Sequence, residues 1–253
     1  MIRVNRSDTP CPEELRTEGE RDLPRLRSLA AAGVLKSRDF QGNIYGSLAV
    51  KTCLWEMQNG KCCYCEREYE RKYSDVEHFR PKTEAIREGR VKTLGYWWLA
   101  YRFDNLYFGC LVCNRVKGAK FPLVAGSRAL AAEEDPRQVQ ELPLLIDPGF
   151  EDPEHHLTFV WIPGRGYEIA PRSGSDRGRR TIEILELDRD DLFELRRAYY
   201  LRHLQPLLER LAKARQRNDE EALAEIRREA RALQSAESPF ALLARVALQD
   251  LWP

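Results

Sequence analysis

Two cysteine pairs carry the clearest chemistry in this chain. Cys62 and Cys65 stand in Cys62-Cys63-Tyr64-Cys65, and Cys110 and Cys113 in Cys110-Leu111-Val112-Cys113. Two C-x-x-C pairs are the spacing of a four-thiolate zinc site. Cys62 is preferred to Cys63 because only Cys62 has the right spacing to Cys65. Four thiolates close the zinc coordination sphere, so the ion is structural. Between the pairs lies Asp75-Val76-Glu77-His78-Phe79-Arg80-Pro81-Lys82, with the only histidine of the segment. Hydrolysis of a phosphodiester needs a base for water, a divalent cation at the phosphate and further positive charge. His78, Glu77, and Arg80 with Lys82 are residues of those three types. Asn114, one residue past the last cysteine, sits at the start of a presumed helix and can complete an oxygen shell with Glu77. Mg²⁺ suits such a sparse, watery site better than zinc does. The competing interpretation is a lone structural histidine inside a zinc ribbon.

The bulk numbers frame this segment. A chain of 253 residues suits one large domain, or a catalytic module wrapped in helical additions. Charges nearly cancel, 41 basic against 40 acidic, so the whole chain neither favours nor excludes a polyanion. Locally, Lys61 to Leu123 holds thirteen Lys/Arg against eight Asp/Glu. That excess attracts phosphates, although a solvated charged face has the same composition. Met1-Ile2-Arg3-Val4-Asn5-Arg6 lacks the apolar core of a signal peptide, and no apolar run approaches ~20 residues. A cytoplasmic, membrane-free setting is expected, where thiols stay reduced and bind metal. Cys53 is expected as a small buried residue, and Cys11 has no visible partner.

Outside this segment, Asp22–Ala32 reads as a helix stopped by Gly33, and 45–58 as a second one ended by Asn59-Gly60. Residues 1–20 are polar and expected to pack poorly. The stretch 61–73 reads as a knuckle, 74–79 as a short strand closed by Pro81, and 83–89 as a short helix. Tyr96-Trp97-Trp98-Leu99-Ala100-Tyr101 is predicted to be a packed helix, its tryptophans core before base-stacking platforms. Leu106–Phe108 leads into the second cysteine pair, and 114–120 should begin a helix. Pro143–Pro148 reads as a strand. Residues 157–161 and 167–169 form a hairpin about Pro163-Gly164-Arg165-Gly166, and His155-His156 are turn residues. From Arg189 the pattern is helical, with a second helix over 219–233 and a third opened by Ser238-Pro239, with Pro at N1 and Leu242, Leu243, Val246, Leu248 and Leu251 on it.

Together C-x-x-C, E-H-F-R-P-K, D-N-L and C-x-x-C-N-x-x-K resemble the HNH endonucleases of the ββα-metal class. The fuller string, from G-K-C-C-Y-C-E through W-W-L-A-Y to C-N-x-x-K-G and F-P-L, is similar to a narrower family, the PtuB nucleases of Septu and retron-type antiphage systems, which act beside the ATPase PtuA. The specific motifs cover about a quarter of the chain. The resemblance implies that His78 is the general base and that Glu77 and Asn114 bind a catalytic Mg²⁺ or Mn²⁺. It implies that Asn105 braces the loop and orients His78, and that Lys117 meets phosphate. Asn114 replaces the more common final histidine and Glu77 the more common aspartate; both changes keep hard oxygen ligands.

The fold expected is α+β and mainly helical, with a central ββα-metal HNH core and a four-cysteine zinc knuckle. Its parts are an N-terminal helical region (1–60), the nuclease core (61–124), a loop- and hairpin-rich extension (125–188) and a C-terminal helical region (189–253). The function expected is metal-dependent endonuclease action, DNA favoured, in antiphage defence, in a hetero-oligomer with a PtuA-like ATPase. Arg80, Lys82, Arg115 and Lys117 would grip the phosphate backbone without reading bases. The alternatives are a non-catalytic zinc-ribbon binding module and a ribonuclease cutting tRNA.

Overall fold

The computed structural model describes residues 1–249. Leu251, expected on the last helix, lies outside them. The architecture is mixed α+β, about half helical, with small two-stranded antiparallel sheets. Helix α1 (Glu20–Ala31) follows directly on a wide π turn at Leu15–Gly19. Pro24 lies inside α1; it has no N–H for a carbonyl one turn upstream, so the preceding turn relaxes outward. Gly33, at φ +69°, ends the segment as expected. After the short α2 (Gly42–Tyr45), α3 (Leu48–Met57) starts at Ser47, whose hydroxyl accepts from Val50 N. Asn59 and Gly60 both take positive φ and turn the chain into the first cysteine pair.

Strand β1 (Ser74–His78) does not pair with its sequence neighbours β2 (Glu84–Ile86) and β3 (Lys92–Leu94), which pair with each other. It pairs with β4 (Leu106–Cys110), in register from Ser74 opposite Cys110 to His78 opposite Leu106. The chain then enters α4 (Leu111–Lys117) without a break, because Cys110 is both the last strand residue and the helix N-cap, its sulfur accepting from Cys113 N. Gly118, at φ +49°, stops α4. The predicted hairpin appears as β5 (Leu157–Ile162) and β6 (Gly166–Pro171), with His155 and His156 in the turn before it. Then come α5 (Asp176–Leu185), α6 (Asp190–Tyr199), α7 (Gln205–Arg217), α8 (Glu220–Gln234) and α9 (Ala241–Ala247). A second π turn, Tyr200–Leu204, joins α6 to α7 just ahead of Pro206, for the same reason as at Pro24.

Two apolar cores flank β1–β4. One gathers Val76, Leu106, Phe108 and Trp97 with Leu26, Val50 and Leu54 of the first helices. The other joins the cysteine knuckle and Tyr107 to β5 and the C-terminal helices, so it draws on all four stretches of the chain. β4 is buried on both faces, which rigidifies it.

Several expectations fail for physical reasons. Residues 1–20 are packed: Met1, Ile2, Val4 and Leu15 are buried, and the Arg6 guanidinium donates to Phe103 O and Leu106 O while covering Tyr107. Their few apolar residues and one cation are spent on the core, which composition does not reveal. The helix predicted over 83–89 is β2 and a turn, since Gly89 takes positive φ and Ile86 binds the backbone of Ala119 and Phe121. The aromatic run holds a single 3₁₀ turn, Trp97–Leu99; Trp97 is buried and Trp98 donates from its indole to Glu134 O. Pro143–Pro148 forms one bridge, Leu123 with Pro143, and no strand. α4 begins three residues before Asn114, which therefore sits within the helix. α9 begins at Ala241 rather than at Pro239, because Phe240 adopts the left-handed conformation. Cys53 is only partly buried.

Candidate functional site

The four cysteines singled out by spacing meet in space. The sulfurs of Cys62, Cys65, Cys110 and Cys113 all lie within 4.8 Å of one another, and all four residues are buried. A tetrahedron of thiolates at about 2.3 Å from zinc has edges of about 3.8 Å, so the donor set fits the ion. Hydrogen bonds from Cys113, Cys62 and Cys65 drive the Cys110 thiol far below its usual range, while its three partners are pushed up. Without an ion, one thiolate at Cys110 is shared among three protonated thiols, and a cation would let all four ionise. Arg189 adds a donor 3.9 Å from the Cys113 sulfur, an outer contact of the kind that tunes thiolate sites.

The knuckle is fastened from several sides. Cys63, outside the cluster, donates its backbone N–H to Phe108 O at 3.1 Å and so ties the first pair to β4. Glu66, at φ +63°, is buried; its carboxylate pairs with the Met1 amine and accepts from Leu242 N. Lys61, counted above as part of a basic excess, instead caps the backbone carbonyls of Ala236 and Ser238.

Cys110 joins β4 to α4, so the cysteine cluster fixes α4 beside β1. Along that seam opens a cleft of about 490 Å³, lined among others by Tyr45, Lys51, Asp75, Glu77, His78, Lys82 and Asn114. His78 is 6 % exposed. Its Nε2 lies 2.9 Å from Ala100 O, and its ring stands edge-on to Tyr45 at 4.8 Å. A carbonyl can only accept, so Nε2 carries the proton and Nδ1 is left with the lone pair. Burial, then the nearby Lys82 charge, hold His78 well below its ordinary range, which keeps the ring neutral near pH 7. Asn105 is buried under the loop that follows: its Oδ1 accepts from Arg80 N at 2.8 Å, and its Nδ2 donates to Arg80 O and Leu99 O. That loop and Ala100 are therefore held together around the imidazole.

The predicted cations divide into two groups. Arg80 is not at the cleft: its Nε lies 2.9 Å from Glu141, whose side chain is fully buried and also accepts from Tyr96 OH. Lys117 is likewise internal, its ammonium 2.5 Å from Glu77 and 2.7 Å from His78 O. Both were expected to meet phosphate, and buried ion pairs take them away from it. Arg115 is exposed on α4, outside the residues that line the cleft. Lys82 does line it, its ammonium 4.8 Å from the Tyr45 ring, and burial lowers its pKa. Lys51, from α3, lines the same cleft and went unnoticed in the sequence, where one lysine in an amphipathic helix carries no signal. Among the described residues no carboxylate lies within ion-pair distance of Lys51 or Lys82.

The acids also differ from expectation. Glu77 is 2 % exposed, pushed up by burial despite Lys117, and its Oε1 also accepts from Tyr64 OH at 3.3 Å. Asp75, two residues earlier on the same strand face, is exposed, and its Oδ2 lies 3.5 Å from the Asn114 amide. Oxygen donors of this kind, open to water, fit a hard divalent ion.

No family model matches the chain. A Septu protein PtuB of Bacillus mycoides strain KBAB4 is 34% identical over 203 residues, covering 78% of this chain and 66% of the relative. Over most of its length the chain is thus similar to a Septu PtuB protein. A PtuB of Bacillus thuringiensis is 26% identical over 151 residues, 59% of this chain and 45% of that protein. A protein of the first organism named Septu PtuA is 29% identical over 144 residues, 56% of this chain but only 19% of its own length. The chain thus spans less than two thirds of the length of each of these relatives. Among the described residues no helix is long and apolar enough to cross a membrane.

Proposed function

We propose that this chain is a metal-dependent endonuclease of the HNH type and serves a Septu antiphage system beside a PtuA-type ATPase. The observation that supports this most is the state of His78: a neutral imidazole with Nε2 pinned to Ala100 O, on the wall of a cleft that also presents two lysines, an aspartate and an asparagine. A general base needs a free lone pair and a pKa that leaves it unprotonated at working pH, and burial supplies the second.

In this reading β1, β4 and α4 form the ββα core, with zinc in the cysteine cluster as its clamp. Lys51 and Lys82 hold a backbone phosphate in the cleft. His78 takes a proton from water at Nδ1, and Ala100 O steadies the imidazolium that results. Asn105 keeps the loop and the ring in register. Mg²⁺ or Mn²⁺ held by oxygen donors of the cleft would offset charge developing on the phosphate and the leaving 3′ oxygen. Contacts of this kind touch the backbone and not the bases, so cleavage carries little sequence preference and falls steeply with salt. DNA is the favoured substrate. The kinship of this chain to proteins named PtuA as well as PtuB supports joint action with such a partner.

The test is to purify the chain together with a PtuA-type ATPase and present DNA and RNA with Mg²⁺ or Mn²⁺. Cleavage of DNA by the wild type, lost in His78→Ala, is the expected result. Nucleic-acid binding with no scission under any divalent ion would leave a zinc-ribbon binding module, and cleavage of tRNA alone would reassign the substrate.

A further inference from the structure

The nuclease reading leaves open which acid of β1 serves the divalent ion. Residues 75 and 77 share one face of the strand, so either can be offered. Their surroundings differ sharply. Glu77 is buried and bonded at Oε1 to Lys117, and Lys117 is itself fixed a second time by His78 O. An ion at that carboxylate would sit against an ammonium it repels, or would have to displace a lysine that is 1 % exposed. Breaking a buried ion pair strands the remaining charge in a medium that solvates it poorly. Asp75 is exposed, lines the cleft and faces Asn114 across 3.5 Å. Oxygens sharing one octahedral Mg²⁺ are separated by about 3–4 Å. The Asn114 amide has its nitrogen toward Asp75; a half-turn of the amide presents the carbonyl oxygen instead.

We propose that Asp75, together with Asn114, holds the divalent ion, and that Glu77 acts as a positioning residue whose partner is Lys117. Glu77 then locks α4 to β1 at the buried end of that strand face, while an ion at Asp75 would sit at its exposed end and keep most of its shell as water. The inference rests on the nuclease reading but concerns which residues bind, so binding itself is the measurement.

Mn²⁺ binding to the full chain is followed by electron paramagnetic resonance, with zinc content measured in the same samples. Asp75→Asn is expected to weaken Mn²⁺ binding at least tenfold with zinc retained. Glu77→Gln is expected to stay within about threefold of wild type. Because Glu77→Gln strands Lys117, the double variant Glu77→Gln/Lys117→Met provides a folded alternative and is expected to bind equally well. Full Mn²⁺ affinity in Asp75→Asn, with loss in the Glu77 variants, overturns the assignment and leaves the nuclease reading intact. Absence of Mn²⁺ binding by the wild type, together with absence of cleavage, overturns both.

Discussion

At the scale of single residues, environment decides which side chains do chemistry. His78 is held neutral by burial and by Lys82, so the folded protein refuses a proton that the unfolded chain accepts near pH 6.5. As pH falls below that ordinary value toward the depressed folded one, the unfolded state binds the extra proton and stability drops; above it the term vanishes. Urea midpoints measured from pH 7.5 to 5 should therefore fall more steeply in the wild type than in His78→Ala. Lys51 and Lys82 are the cations of the cleft. Replacing either by Ala should weaken DNA binding and lower the slope of log K against log salt by about one, as expected for one lost phosphate contact. Replacing Arg115 should do much less. Sequence spacing singled out His78 and Asn114, and the structure places both on the wall of one cleft. The sequence misjudged Arg80 and Lys117: their partners, Glu141 and Glu77, come from packing, and charge in a string does not say which way a side chain points.

At the scale of elements, the cysteine cluster is the fastening. One pair follows α3 and the other joins β4 to α4, so a single ion held by the four sulfurs would tie together segments that the chain separates by a long insertion. Structural zinc contributes on the order of 10 kcal/mol to small zinc folds, comparable to the whole net stability of a typical domain. Cys65→Ser, or strong chelation, should release zinc and lower the melting temperature so far that no cleft function survives. Zinc analysis with circular dichroism checks this; a variant that melts like wild type without metal would make the cluster a set of ordinary buried thiols. The cluster, the β5–β6 hairpin and the C-terminal helices were legible, because periodicity and C-x-x-C spacing are local. The aromatic run at 96–101 and the stretch 83–89 were not. Their conformation comes from docking against Phe121, Pro81 and Ala119, and tertiary contact overrode helical propensity.

At the scale of the whole molecule, two cores clasp one thin two-stranded sheet, β1 with β4, and the cleft lies where that sheet meets α4. The N-terminal residues are part of this clasp, through Arg6 on Tyr107 and Met1 on Glu66. Their polar composition hid that role, since a few buried contacts suffice. In the proposed function, similarity to Septu PtuB proteins supplies the setting and the cleft supplies the chemistry. The central claim is that His78 removes a proton, as distinct from supporting the fold. The direct measurement is single-turnover DNA cleavage by His78→Ala with and without added imidazole, alongside zinc content. The account predicts a loss of about 10²–10⁴-fold, partial recovery with imidazole, and full zinc occupancy. Unchanged cleavage, or a loss that imidazole cannot relieve and that comes with loss of zinc, would contradict it.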